Sequence, residues 1–321
     1  MDEWRETLDG MNWLQFESAG ATAEKILVFA SMVMLNRMAG ADVLLMDGMS
    51  KVPDKWMQLY TIHAIVDGIS IPCVFALLPR KNEQTYKKMF KVIKTACSRY
   101  GIRFPEPSTI VVDFELAIMN AIACNFPNNP KINGCYFHLN QCVQRWLNAN
   151  KLADHYQEEN FNMLVKKLVT LAFIPEPDVP SVWEDIKEQC STAEEKKVAQ
   201  YFGDTFVNGD QFPPVTWNLF DSVWTGALFI NNAAESWHRW FQNLIIANQE
   251  SVYYFLHALK MATAARDTRL VQIQVGQRRL RPKNQQFLRK LKEVLDAYGT
   301  ITPLQTLEKI AYSIHNMDNV L

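Results

Sequence analysis

The sequence has no Cys-x-x-Cys pair, no apolar stretch long enough to cross a bilayer and almost no net charge. Each absence removes a class. The six cysteines, Cys73, Cys97, Cys124, Cys135, Cys142 and Cys190, are scattered through apolar segments. A disulfide-stapled secreted domain spaces them densely and regularly, so a reducing compartment is expected. The most apolar run, 26–35, falls well short of the roughly 20 residues a membrane span needs. The first residues carry Asp and Glu instead of a signal-peptide pattern, and the expectation is a soluble intracellular protein with no membrane partner. A formal charge of −1 on 321 residues offers no global attraction for a polyanion. Any nucleic-acid contact therefore has to come from local patches. No internal repeat and no low-complexity segment is present, which argues against solenoids and long linkers.

What is present is apolar bulk: 48% of the residues are hydrophobic, enough for a sizeable core, in a chain at the usual single-domain limit. One large domain with an insertion, or two domains, is expected. Apolar residues at helical spacing over 21–38, stopped by Gly40, predict a packing helix, so 1–40 is read as a helical lead-in. The runs 43–46, 59–66 and 69–78 predict strands, the last two joined by the tight-turn dipeptide Asp67-Gly68. Residues 86–96 then follow a period near 3.6 with lysines on the other face. A short β-branched strand at 109–112, a helix over 115–124, a strand near 132–136 and a helix over 139–150 complete the first half. Three antiparallel strands, helix, strand, helix, strand, helix is the element order of an RNase H-like core, here expected over 41–150. Beyond it, 156–173, 182–201, 227–247, 252–265 and 284–298 all read as helical, with prolines as punctuation. The expected plan is a helical insertion at 151–222, a further helix of the core at 223–250 and a helical region at 251–321.

Asp47 and Asp113 each end an apolar strand, where a sheet exposes side chains on a rigid backbone. Two such carboxylates suit a shared divalent metal. Equally open are an ordinary turn at Asp47-Gly48 and a helix-capping role for Asp113. Glu235 lies in Asn231-Asn232-Ala233-Ala234-Glu235-Ser236-Trp237-His238-Arg239-Trp240. Helical spacing sets Asn231, Asn232, His238 and Arg239 on the side of Glu235, and gathers Trp237, Trp240, Phe241 and Leu244 on another face. An acid flanked by amides and cations suits phosphate and metal; a solvated face with an incidental Glu–Arg pair is the plainer reading.

Cys135 and His138 form a Cys-x-x-His pair, half of a zinc site. Structural zinc takes four ligands, and neither Cys142 nor His155 completes the set at a persuasive spacing, so support of an active site and simple packing are both preferred to zinc. Arg278, Arg279, Arg281, Lys283, Arg289, Lys290 and Lys292 form a basic stretch without intervening acids, and Lys87, Lys88, Lys91 and Lys94 a second cluster. Either would give salt-sensitive, weakly sequence-specific DNA contact, or is only a solvated face.

Several blocks, taken in order, resemble one family. Leu45-Met46-Asp47-Gly48-Met49, Pro53, Gln58-Leu59-Tyr60-Thr61-Ile62, Ala76-Leu77-Leu78-Pro79 and Tyr86 open the series. Asp113-Phe114-Glu115-Leu116-Ala117, Cys135-Tyr136-Phe137-His138 and Asn231-Asn232 with Glu235 continue it. Together they are similar to the Mutator-like element (MULE) transposase domain of the DDE, RNase H-like superfamily, with Met49 where that family commonly has threonine.

The resemblance implies an RNase H-like core with Asp47, Asp113 and Glu235 as a catalytic, metal-holding triad and a helical insertion between the second and third acids. It implies two Mg²⁺ or Mn²⁺ ions, phosphodiester hydrolysis followed by strand transfer, and transposon-end and target DNA as partners. Hard oxygen ligands favour magnesium over zinc. Active-site support from Cys135, His138, Asn231, Asn232 and Arg239 is expected. So are a nuclear location, a separate DNA-binding domain or subunit, and a homo-oligomer. A domesticated regulator that binds DNA or chromatin without cutting, and a nuclease that hydrolyses without joining, remain open at this stage.

Overall fold

The computed structural model describes residues 3–19, 25–225, 231–245, 251–274 and 282–315. Among them are seven strands in one mixed sheet and twelve α-helices, a mixed α/β architecture. The strands are β1 (Leu14–Glu17), β2 (Leu27–Phe29), β3 (Val43–Met49), β4 (Gln58–Val66), β5 (Ile69–Leu78), β6 (Thr109–Val112) and β7 (Lys131–Gly134). The helices are α1 (Met32–Ala39), α2 (Glu83–Arg99), α3 (Leu116–Asn125), α4 (Tyr136–Ala149), α5 (Glu159–Thr170) and α6 (Val179–Glu188). They continue as α7 (Ala193–Phe202), α8 (Phe220–Thr225), α9 (Asn231–Ile245), α10 (Val252–Gln274), α11 (Pro282–Asp296) and α12 (Pro303–His315). The chain divides into two compact units, Met1–Ile132 with Ile230–Arg278, and Asn133–Phe229 with Arg279–Leu321.

The first unit is built on the sheet, whose order is β1-β2-β5-β4-β3-β6-β7, with β7 running across the unit boundary. Pairing is antiparallel from β1 to β3 and parallel between β3 and β6. The β4–β5 hairpin turns at Asp67 (φ 51°) and Gly68 (φ 72°), the two positive φ values a two-residue type I′ turn requires. Every residue of β5 is buried, as in a strand covered on both faces, and α1 and α10 pack on it. On α2 the buried residues Tyr86, Met89, Phe90, Ile93, Ala96 and Cys97 make one stripe, and Asn82 caps the helix by accepting from Thr85 N at 2.9 Å.

Of the helix expected over 21–38, residues 21–24 lie outside the described residues and the rest is β2 followed by α1; β1 also lies in the stretch read as a helical lead-in. The cause is pairing: Leu27, Val28 and Phe29 lie opposite Leu77, Ala76 and Phe75 of β5. Ser31 then starts α1 with a capping box closed by Met34, so the helix cannot extend backwards through the strand.

Among its described residues the second unit is helical apart from its share of β7. Its α5 packs against α7 and α12, and Lys167 on α5 pairs with Glu308 on α12 at 2.7 Å. The single helix expected over 182–201 is two, α6 and α7, because Thr192 and Glu195 form a capping box that starts a new helix.

Candidate active site

Asp47 and Asp113 come together through the sheet. β3 and β6 are parallel neighbours paired as far as Leu45 and Val111; two residues further along each chain stand Asp47 and Asp113. Adjacent strands lie about 4.8 Å apart, so two carboxylates meet at one sheet edge. Asp47-Gly48 is not a turn: β3 continues through it, with Asp47 opposite Thr61 and Gly48 opposite Tyr60 on β4. A Cβ on Gly48 would strike the Gln58 amide and sit 3.2 Å from the Tyr60 ring, so the missing side chain is what lets both lie over β3.

The environment of the two acids differs. Asp47 is buried, accepts from Gly48 N at 2.7 Å through Oδ1, and meets His238 Nδ1 at 2.8 Å through Oδ2. Asp113 is half-buried, and its Oδ1 is buried with no hydrogen-bond partner among the described residues. Burial first, then the charges of Asp47 and Glu115, push the Asp113 carboxyl up to about 7, against a smaller opposing effect of Lys81. Asp113 does not cap α3, which begins after Glu115.

His238 brings α9 to this edge. Its Nδ1 faces Asp47, and with Asp47 ionised that nitrogen carries a proton and donates it. Its Nε2 lies 2.9 Å from Thr61 Oγ1, which also lies 3.1 Å from His63 Nε2 and 3.2 Å from the Asp47 carbonyl oxygen. Ser70 Oγ closes the line at 2.9 Å from His63 Nδ1. Burial, with His238 and Arg266 nearby, holds His63 well below the usual imidazole value, so it is a neutral link in this chain. Below the network, Trp237 stacks on Phe241 at 5.1 Å and contacts Phe75 at 5.6 Å. The apolar face of α9 is therefore Trp237, Phe241 and Ile245; Trp240 and Leu244, expected on it, are 41% and 39% exposed.

Glu235 belongs to the backbone of α9, three residues and so about one turn before His238. The side chains of Asn231, Asn232 and Glu235 lie outside the described residues, while Arg239 is exposed. Among the described residues, no three His, Cys, Asp or Glu side chains converge as a metal site. Cys135 occupies the N-cap position of α4 with His138 in the first turn. His155 is tied to Glu158 at 2.7 Å.

Of the basic stretch, Arg278, Arg279, Arg281 and the Lys283 side chain fall outside the described residues. On α11, Arg289 and Lys290 are exposed, and Lys292 lies over the Trp224 ring at 5.8 Å. In the second cluster Lys87 pairs with Glu83, Lys88 covers Phe16 and Lys94 covers Phe104, so three of these four lysines are engaged locally. Sequence reasoning did not single out Lys81 or Glu115, the other two side chains whose charge reaches Asp113. Both sit in short connections, and only the sheet register brings those connections beside Asp47.

No helix among the described residues is long and apolar enough to cross a membrane. No curated protein matches this chain. The stretch that holds β3 to β7, Asp47, Asp113 and the Cys135–His138 pair, residues 43–142, matches the family model of the MULE transposase domain.

Proposed function

We propose that this chain is the metal-dependent catalytic domain of a Mutator-like DNA transposase, with Asp47, Asp113 and Glu235 as its acids. The observation that carries the reading is the meeting of Asp47 and Asp113 just past the last paired residues of β3 and β6, with α9, the helix of Glu235, held to Asp47 by His238. Support for an RNase H-like core comes from the order β5-β4-β3-β6-β7, three antiparallel strands with the fourth returning in parallel beside the first. The helices α5 to α7 fall between the second and third acids, as an insertion in that core does.

The residues present suit a hard divalent cation. Asp113 Oδ1 is buried without a partner among the described residues, and two neighbouring carboxylates repel one another unless a cation lies between them. Asp47, Asp113 and Glu235 would hold Mg²⁺ or Mn²⁺. When bound, two such ions activate an attacking oxygen and neutralise a leaving one at phosphorus. The chain itself supplies orientation: His238 fixes the rotamer of Asp47, and Trp237 and Phe241 anchor the helix that carries Glu235. Exposed Lys81, whose charge reaches Asp113, gives the site positive charge suited to a phosphate backbone, and Arg239 is exposed on α9 next to His238. The substrates are transposon-end and target DNA, the place of action the nucleus, and a separate DNA-binding domain or subunit supplies sequence recognition.

The test is incubation of the purified chain with labelled duplex DNA and pre-cleaved ends, with and without Mg²⁺ or Mn²⁺. Nicking and joining that need the metal, and that vanish in Asp47→Asn, Asp113→Asn and Glu235→Gln, are expected. Nicking without joining would make it a nuclease. DNA binding without either, unchanged in the three variants, would make it a non-cutting regulator.

A further inference from the structure

Three buried oxygens around Asp113 have no hydrogen-bond partner among the described residues: Asp113 Oδ1, Glu115 Oε1 and the Tyr60 hydroxyl. Buried polar atoms are nearly always paired, and orphans that cluster call for a missing water or ion. Glu115 stands at the N-cap of α3, yet its side chain makes no capping bond. Its charge reaches Tyr86, whose hydroxyl accepts from Gln58 Nε2 at 2.9 Å. Tyr60 is 1% exposed, its ring 5.1 Å from that of Tyr86. Its ring lies 3.2 Å from where a Cβ on Gly48 would stand, next to Asp47 in β3, and burial, Tyr86 and then the charges of Asp113, Asp47 and Glu115 push its hydroxyl up.

Glu115 does not converge with Asp47 and Asp113 as a direct metal ligand. A hard cation that keeps part of its water shell has a use for acceptors one step further out. We propose that Glu115 and Tyr60 form the outer wall of the cation site, accepting hydrogen bonds from the water ligands of a divalent ion held by Asp47 and Asp113. This rests on the metal-binding reading above and adds two residues to it. Partners at this distance commonly set metal affinity by about 10- to 100-fold, through orientation and through the acceptors they offer.

Mn²⁺ affinity of the full chain, measured by the electron paramagnetic resonance signal of the free ion, tests this without any assay of activity. Glu115→Gln is expected to weaken Mn²⁺ binding about tenfold, Tyr60→Phe by a smaller factor, and Asp113→Asn by more than either. Thermal melting without metal separates this from misfolding: Glu115→Gln keeps the side-chain shape of a half-buried residue that caps no helix and is expected to melt no lower than the native chain. Should it melt lower, Tyr60→Phe, which keeps the ring packing, decides alone. Native Mn²⁺ affinity in both Glu115→Gln and Tyr60→Phe, with loss in Asp113→Asn, would overturn the outer wall and leave the metal reading standing. No Mn²⁺ binding by the native chain would remove both.

Discussion

His238 Nδ1 lies 2.8 Å from Asp47 Oδ2, joining the middle of α9 to the middle of β3 across 191 residues of sequence. Both side chains are buried, so this bond fixes the Asp47 carboxylate and the position of α9 together.

Removing His238 therefore frees Asp47 to rotate. His238→Ala is expected to lower metal-dependent DNA cleavage by about 10- to 100-fold, in the range of groups that orient metal ligands. His238→Asn, whose amide nitrogen replaces Nδ1–H as a donor to Asp47, is expected to recover part of that loss. Equal activity of the alanine variant and the native chain would show that the bond serves only the fold.

The fold of the first unit was largely legible in sequence where local pattern and final structure agree. The residues of β4, β5, β6 and α2 carry their periodicity in a few consecutive turns or pleats, and Asp67-Gly68 names its own turn. At 26–29 the pattern is ambiguous, since four apolar residues suit a helix face and a buried strand equally; pairing with β5 decides for the strand. The start of α12 is written locally in Thr302-Pro303-Leu304-Gln305, where Thr302 Oγ1 accepts from Gln305 N at 3.2 Å and Gln305 Oε1 accepts from Thr302 N at 3.1 Å. Of the site, Asp47 and Asp113 were each visible alone. The links from Asp47 to His238 and from Asp113 to Glu115 and Tyr60 were not, because sheet register and helix packing create them.

Asp113 predicts a pH-dependent stability. Its folded value of about 7 lies above the ordinary carboxylate range, so the folded chain holds a proton that the unfolded chain releases near pH 4. The stabilising effect of that proton is fully present below about pH 4 and is lost as pH rises through about 7. Without metal, Asp113→Asn is expected to melt above the native chain at pH 8, with the gap closing toward pH 4. Scanning calorimetry across that range measures it; a variant that is less stable at pH 8 contradicts the assignment.

Thr61 supplies one hydroxyl to two imidazoles, at 2.9 Å to His238 and 3.1 Å to His63. Thr61→Val keeps the shape and leaves both Nε2 atoms without that partner, which costs about 1–3 kcal/mol for each buried group left unsatisfied. Thr61→Ser keeps the hydroxyl and is expected to cost less. Urea unfolding of the two variants gives the comparison, and equal losses would mean that the methyl group matters and the hydroxyl does not.

Gly48 predicts a steric effect next to the acids. A methyl group there meets the amide of Gln58, which is 1% exposed and tied to Tyr86, and the ring of Tyr60. Neither can swing into solvent. Gly48→Ala is expected to cost about 1–3 kcal/mol through overpacking. It should also weaken Mn²⁺ binding, because Tyr60 and Asp47 are displaced with it. Unfolding and metal titration on the same variant check both effects.

The proposed activity requires Asp47, Asp113 and Glu235 to share divalent metal, and anomalous diffraction from crystals grown with Mn²⁺ would locate it. A manganese peak is expected where the pairing of β3 with β6 stops, with oxygens of all three carboxylates about 2.0–2.6 Å from an ion. A peak ligated without Glu235, or no peak there in crystals soaked in excess Mn²⁺, would contradict it.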